Sequence, residues 1–214
     1  MGLLERREKE KNNRRKKILE SARNLFFAEG FKNVTVDKIA KFAELGKGSI
    51  YLYFNSKEEI YAQILLNDIE KFNQQASALF CQRKSAAILL TEFACFYADF
   101  FLNDPELFRI LMTYMLQPDQ MKLSDELNPQ ILNANARSVD TIGKILQTGV
   151  HVNEFPAGIN IKHIQYSIWG MLNGIISLHI FSGEEKRRRE RIRAAIKSTL
   201  EIFIKGLKTS YGYL

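Results

Sequence analysis

Cysteine is nearly absent. Cys81 and Cys95 are the only two in 214 residues, which excludes a disulfide framework. Their apolar, helix-like surroundings predict two free core thiols. Histidine is almost as rare. His151, His163 and His179 lack metal spacing and have no paired cysteine, so no metal site and no bound cofactor are expected. Proline occurs four times and β-type alternation is scarce, so helical periodicity dominates. Long apolar runs are missing, because charges or polar residues interrupt each one. With seventeen charged or polar-rich residues at the N-terminus and no apolar run behind them, neither a signal peptide nor a membrane span is expected. The protein reads as cytoplasmic. Catalytic constellations are missing too. Gly46-Lys47-Gly48-Ser49 lacks the spacing of a phosphate loop and follows no strand, and no G-x-S-x-G elbow occurs. The chain does not read as an enzyme.

What is present is a lopsided charge. The net charge is +7, and residues 1–57 carry all of it: they hold 14 Lys and Arg against 7 Asp and Glu, whereas residues 58–214 hold 17 of each. A basic module on a neutral body points to a polyanion partner for the module. With 46% hydrophobic residues, the body has ample material for a core. The expected organisation is therefore residues 1–57 as one domain and 58–214 as another.

About nine helices are predicted, an all-α fold. The first starts near Arg14 and ends at Gly30, a fit for the left-handed stop position. Thr35 caps a helix that turns Val36, Ile39, Ala40 and Ala43 inward. The turn Glu44-Leu45-Gly46 leads to a helix over about 47–54. Ser56-Lys57-Glu58-Glu59 is a capping box. Longer helices follow over about 57–80, 84–103, 105–117, 123–152, 161–181 and 184–210. Pro105 marks one start, and Asn128-Pro129 predicts a split or kink in another. Asn160 caps the next, and Ser182-Gly183-Glu184-Glu185 combines a stop glycine with a second capping box.

The segment 47–54 carries the function. At about 100° per residue, Ile50 and Phe54 share one face and must anchor in the core. Gly48, Ser49, Leu52 and Tyr53 then point away, with Lys47 and Tyr51 on the flank. A helix this short that anchors through two residues and exposes the rest suits a reading head in a DNA groove better than a packing element. Gly48 permits close approach, Ser49 suits a base edge or phosphate, and Leu52 suits a thymine methyl. Lys47, Tyr51, Tyr53 and Lys57 suit phosphate oxygens, as do the free N–H groups of the helix that begins at Thr35.

These residues, in the run ILESARNLFFAEGFKNVTVDKIAKFAELGKGSIYLYFNSKEEIY, resemble the TetR family of transcriptional regulators. The Leu-Phe pair, Gly-Phe, Thr-Val, Ile-Ala, Lys-Gly-Ser-x-Tyr-x-Tyr-Phe and Ser-Lys-Glu elements all stand here. Two positions depart from the common form. Glu44 replaces a turn glycine and Gly46 replaces a serine, so Gly46 is expected to supply the permissive backbone slightly late. The resemblance implies an N-terminal helix-turn-helix domain that reads double-stranded DNA and a C-terminal helical domain for ligand binding and dimerisation. It further implies a homodimer on a palindromic operator, paired through the last two helices, about 161–181 and 184–210. Trp169, Met171, Leu172, Ile175, Ile176, Leu178, Ile196, Leu200 and Phe203 offer apolar surface there, although some of these must bury within one subunit.

A small-molecule effector is also implied. The aromatic and methionine-rich stretch supplies Phe93, Phe96, Tyr97, Phe100, Phe108, Met112 and Met115, and Trp169 and Asn173 complete a candidate pocket for an apolar or aromatic ligand. The same stripe serves equally as core. The reading is a repressor released from its operator by such a ligand. The alternative is a DNA-bound interaction protein that recruits a protein partner without an effector. Glu5–Lys17 reads as a basic arm that either continues the first helix or reaches the minor-groove side of the operator. The basic run Lys186–Arg193 reads as a solvated helix start.

Overall fold

The computed structural model describes residues 2–79, 84–116 and 126–209. Cys81 and the expected helix limits at 80, 117, 123 and 210 lie outside them. The described residues form nine α-helices and no strand: α1 Leu3–Glu29, α2 Val36–Phe42, α3 Lys47–Tyr51, α4 Lys57–Leu79, α5 Ala86–Asn103, α6 Pro105–Leu116, α7 Leu127–His151, α8 Ile161–His179 and α9 Glu185–Thr209, with a 3-10 turn at Phe31–Asn33. They fall into two compact units. One comprises Met1–Asp68 and Glu106–Leu132, the other Ile69–Pro105 and Asn133–Leu214.

In the first unit, α1 begins eleven residues earlier than its apolar pattern predicts. Alternating charges explain this, since Arg6 pairs with Glu10 and Lys16 with Glu20 at i,i+4 spacing. Glu5 accepts the Gly2 N–H at 2.9 Å and so holds the first turn. Gly30 ends α1 at φ 76°, ψ 153°, a region essentially reserved for glycine, although not the left-handed helical one expected. Ile18, Ala22, Leu25 and Phe26 from α1 join Val34, Ile39, Ala40, Ile50, Phe54, Ile60 and Tyr61 in a buried core. Phe26, Phe31 and Tyr61 pack ring on ring, with centroids 4.8 to 5.5 Å apart. Asp68 is buried and takes a 2.6 Å hydrogen bond from Arg23. The buried member of the pair is the Asp68 carboxylate, since the Arg23 side chain is 41% exposed. In the same unit, the buried Tyr114 hydroxyl of α6 donates to Asn128 near the start of α7.

The second unit packs α5 against α8 and α9, and α8 against α9. By length and composition alone α5 is apolar enough to cross a membrane. Half of it is buried, with Leu89, Leu90, Phe93, Tyr97 and Phe101 among its core residues. Leu172, Ile176, Ile196 and Leu200 are buried here as well, so these four fill the core of one chain. Asn160 caps α8 as expected, accepting the His163 N–H at 3.0 Å. The second expected capping box does not form: the Ser182 hydroxyl donates to the His179 carbonyl, and Arg191 bonds Ser182.

A fold-back loop after α7 supplies a cap that the sequence reading misses. Asn153 takes φ 57°, and the Glu154 and Phe155 N–H groups return to the Gly149 carbonyl at 2.8 and 3.1 Å. Gly149 allows this, because a Cβ there would lie 2.3 Å from the Phe155 ring. Glu154 is thereby placed at the start of α5, where its carboxylate accepts the N–H groups of Ala86 and Ala87 at 2.6 and 3.1 Å. A carboxylate on two orphan N–H groups stabilises a helix start.

Candidate nucleic-acid interface

The helix expected to read DNA, α3, is held from below. Ile50 is fully buried and Phe54 nearly so, the two anchors expected from the wheel. Their neighbours face outward: Lys47, Gly48 and Tyr51 are exposed, and Leu52 is 80% exposed. Ser49 and Tyr53 are half-buried, less open than the wheel predicts. The cause is that α3 stops at Tyr51 rather than at 54. The Tyr53 and Phe54 N–H groups both return to the Ile50 carbonyl, at 2.9 and 3.0 Å, which tightens the last turn and draws Tyr53 inward.

The turn before α3 also departs from expectation. Gly46 has an ordinary extended backbone at φ −70° and serves as the cap of α3. Glu44 itself takes the left-handed conformation, at φ 54°. That conformation is costly for a residue with a Cβ. Glu44 also pairs with Lys17 of α1 at 2.9 Å, and this contact lowers its carboxyl pKa.

Thr35 is exposed, and its hydroxyl accepts the Lys38 N–H at 3.2 Å, so α2 is capped as expected. Lys47 meets Asp37 at 2.9 Å across the α2–α3 pair, and this contact raises the Lys47 pKa. Lys57 is differently engaged. Its ammonium donates to the carbonyls of Phe31 and Val34, each at 2.9 Å, and lies 4.3 Å from the centre of the Phe31 ring. Two of its three protons are thus committed to the segment that leads into α2. Ser56 accepts the Glu59 N–H at 3.0 Å, while Glu59 reaches back to the Asn55 N–H at 2.6 Å, a capping box displaced by one residue.

The nine residues expected to line a ligand pocket divide between the units. Phe108, Met112 and Met115 belong to the first, where Phe108 is buried. Phe93, Phe96, Tyr97, Phe100, Trp169 and Asn173 belong to the second. There Phe72 packs against Phe93, Phe96, Tyr97 and Phe100 at 5.0 to 5.7 Å. The Tyr97 hydroxyl donates to Asn173 at 2.9 Å, and Asn173 donates to the Trp169 carbonyl. Burial pushes the Tyr97 hydroxyl well above its ordinary pKa, against an opposing pull from Asn173 and Trp169. Elsewhere in the second unit, an open cavity of about 730 Å³ runs between α5 and α9. Ile88, Thr91, Cys95, Lys197 and Ile204 are among its lining, which includes none of the nine. Desolvation raises the pKa of the half-buried Cys95 thiol.

Residues 18–64 match the model of the bacterial regulatory proteins, tetR family. The chain is 41% identical over 63 residues to the uncharacterized HTH-type transcriptional regulator YhgD of Bacillus subtilis, a match covering 29% of this chain and 33% of that protein. It therefore spans about a third of that relative's length. It is 27% identical over 149 residues to the HTH-type transcriptional repressor NicS of Pseudomonas putida, covering 70% and 69%. A crystal structure of the transcriptional regulator FadR from Bacillus subtilis in complex with stearoyl-CoA superposes with a TM-score of 0.70 at 20% identity, over 89% of this chain and 97% of that one. The matched segment covers α3 with its two anchors and its capped neighbours, and the likeness in fold extends over most of the chain. Over residues 18–64 the chain is thus similar to the bacterial regulatory proteins, tetR family, and over most of its length it shares the helical fold of the solved regulator.

Proposed function

We propose that the protein is a transcriptional repressor that binds a palindromic operator as a homodimer and leaves it when a small apolar or aromatic ligand binds. Residues 1–57 form the reading domain; residues 58–214 form the domain for ligand and partner. The observation that carries this reading is the outward face of α3, open on a module that holds the entire net charge. Gly48, Ser49 and Leu52 approach base edges. Thr35, Lys47, Tyr51 and Tyr53 take phosphates, and Lys57 contributes its one uncommitted proton.

Pairing through α8 and α9 is supported by what those helices leave uncovered. Tyr166 and Leu178 are exposed along one side of α8, Phe181 is exposed just beyond its end, and Ile202 is 72% exposed on α9. Gly170 and Gly174 share the α8 side with nothing near their missing side chains, which permits close helix approach. Such a stripe on a cytoplasmic protein favours a second copy.

The ligand acts by population shift. It weakens DNA binding only as far as it prefers the dimer whose reading heads do not match half-sites one turn apart. The packed rings around Phe72 favour an apolar or aromatic compound, and stearoyl-CoA, bound in a protein of similar fold, is a sensible first probe. The dense packing of those rings is also the feature that keeps the second reading alive, a DNA-bound protein that recruits a protein partner. Fluorescence anisotropy on DNA from the protein's own promoter region tests both. Salt-dependent binding is expected, and its absence would sink the regulatory reading. Release by added ligand favours the first reading, whereas unchanged binding across apolar and aromatic probes favours the second.

A further inference from the structure

We propose that the first turns of α1 form a rigid helical arm that grips DNA backbone phosphates beyond the bases read by α3, through Arg7, Lys11 and Arg14. This rests on the DNA-binding reading above and adds a contact that α3 does not provide.

Among the described residues, none covers the arm. Residues 4–14 are exposed without interruption, and the first buried residue of α1 is Ile18. At about 100° per residue, Arg7, Lys11 and Arg14 fall within roughly 60° of one another, in line with Ile18. The side of α1 that the core covers from Ile18 onward is therefore cationic and uncovered before it. No acidic residue lies in that arc. Glu5 is occupied by the Gly2 N–H and Glu10 by Arg6 at 3.4 Å. Arg7, Lys11 and Arg14 form no ion pair among the described residues, and like charges at i,i+4 repel. A helix face that concentrates unpaired cations without core contacts is complementary to a polyanion. An ordinary solvated face interleaves the signs, as Arg6 and Glu10 do on the adjoining flank.

The arm starts at the reading helix. Lys17 touches Glu44 in the turn before α3, and Arg15 lies 5.2 Å from the centre of the Phe54 ring, one of the two anchors of α3. At 1.5 Å per residue, Leu3 lies about 21 Å further along α1 than Lys17, the length of about six base pairs. A helix about 10 Å wide does not enter a minor groove about 6 Å wide, so the available target is the phosphate backbone rather than the groove floor.

The test uses the full chain with Arg7, Lys11 and Arg14 all changed to Gln, which keeps helix propensity. Affinity is measured against salt on promoter DNA and on random DNA. The slope of log K against log salt is expected to fall by about 2–3 per protomer, with equal losses on both DNAs and a protected footprint shortened at its edges. A control carrying Lys9→Gln and Lys16→Gln on the opposite side is expected to keep most of the slope. An unchanged slope in the triple variant, or an equal drop in the control, would overturn the arm. Lack of DNA binding by the wild type would instead overturn the regulatory reading itself.

Discussion

Two helix starts in this protein are rich in cations, and they use them in opposite ways. The start of α9 carries Lys186–Arg193, but its arginines are spent on the chain itself. Arg189 and Arg193 share Asp99 of α5, Arg189 also reaches Asn103, Arg188 bonds the Ile180 carbonyl, and Arg191 bonds Ser182. The start of α1 has a similar composition, yet Arg7, Lys11 and Arg14 stay unpaired among the described residues. Cation count therefore does not distinguish a polyanion site from a structural brace. The distinction lies in whether a carboxylate or carbonyl of the same fold comes within reach. One helix can hold both kinds, since Arg23 of α1 is paired with the buried Asp68.

This contrast can be broken at its paired end. Asp68→Ala removes the carboxylate that Arg23 bonds, and because Arg23 is 41% exposed the expected cost is that of one charge-assisted hydrogen bond, about 2–3 kcal/mol, read as a lowered urea midpoint. Glu154→Ala strips the start of α5 of its acceptor and is expected to cost about 2 kcal/mol, or a Tm loss of about 4–8 °C. Asp99→Ala frees Arg193 and leaves Arg189 with Asn103 alone, so α9 should begin to resemble α1. A smaller stability loss, about 1–2 kcal/mol, should accompany a gain of weak, salt-sensitive binding to random DNA. A stability loss with no gain in DNA binding would show that pairing is not what separates the two helices. Glu44→Gly removes a side chain from a left-handed position and is expected to raise Tm by about 2–4 °C.

A pH prediction concerns Tyr97. Its hydroxyl pKa is raised above the unfolded value near 10 by burial. Stability should therefore be flat below pH 10 and fall as pH rises above it, because only the unfolded chain then loses the proton. Tyr97→Phe should flatten this alkaline decline, and an unchanged slope in alkaline melts would assign it to other groups.

The sequence is legible where a local rule and the tertiary fold agree. Ile50 and Phe54 bury, Thr35 and Asn160 cap, and Pro105 opens α6. It misleads where two residues compete for one role. Gly46 looks like the permissive position, but the turn geometry puts the positive φ at Glu44, next to Lys17. Ser182 looks like a cap, but Arg191 and His179 claim it. The early start of α1 is hidden from hydrophobic periodicity because only charge pairs support it. The pocket candidates share helical spacing from Phe93 to Met115, and spacing alone cannot tell that Phe108 and Phe93 belong to different units. Nor does any sequence signal announce Glu154, which reaches α5 from 67 residues away.

Lys57 ties the opening of α4 to the carbonyls of Phe31 and Val34, and the Phe31 ring packs tilted against Phe26 and edge-on against Tyr61. Neither strand of this knot can loosen while the other stays closed. In native-state hydrogen exchange, the amides of Ile39 in α2 and of Tyr61 in α4 should therefore report one shared opening event rather than two independent ones.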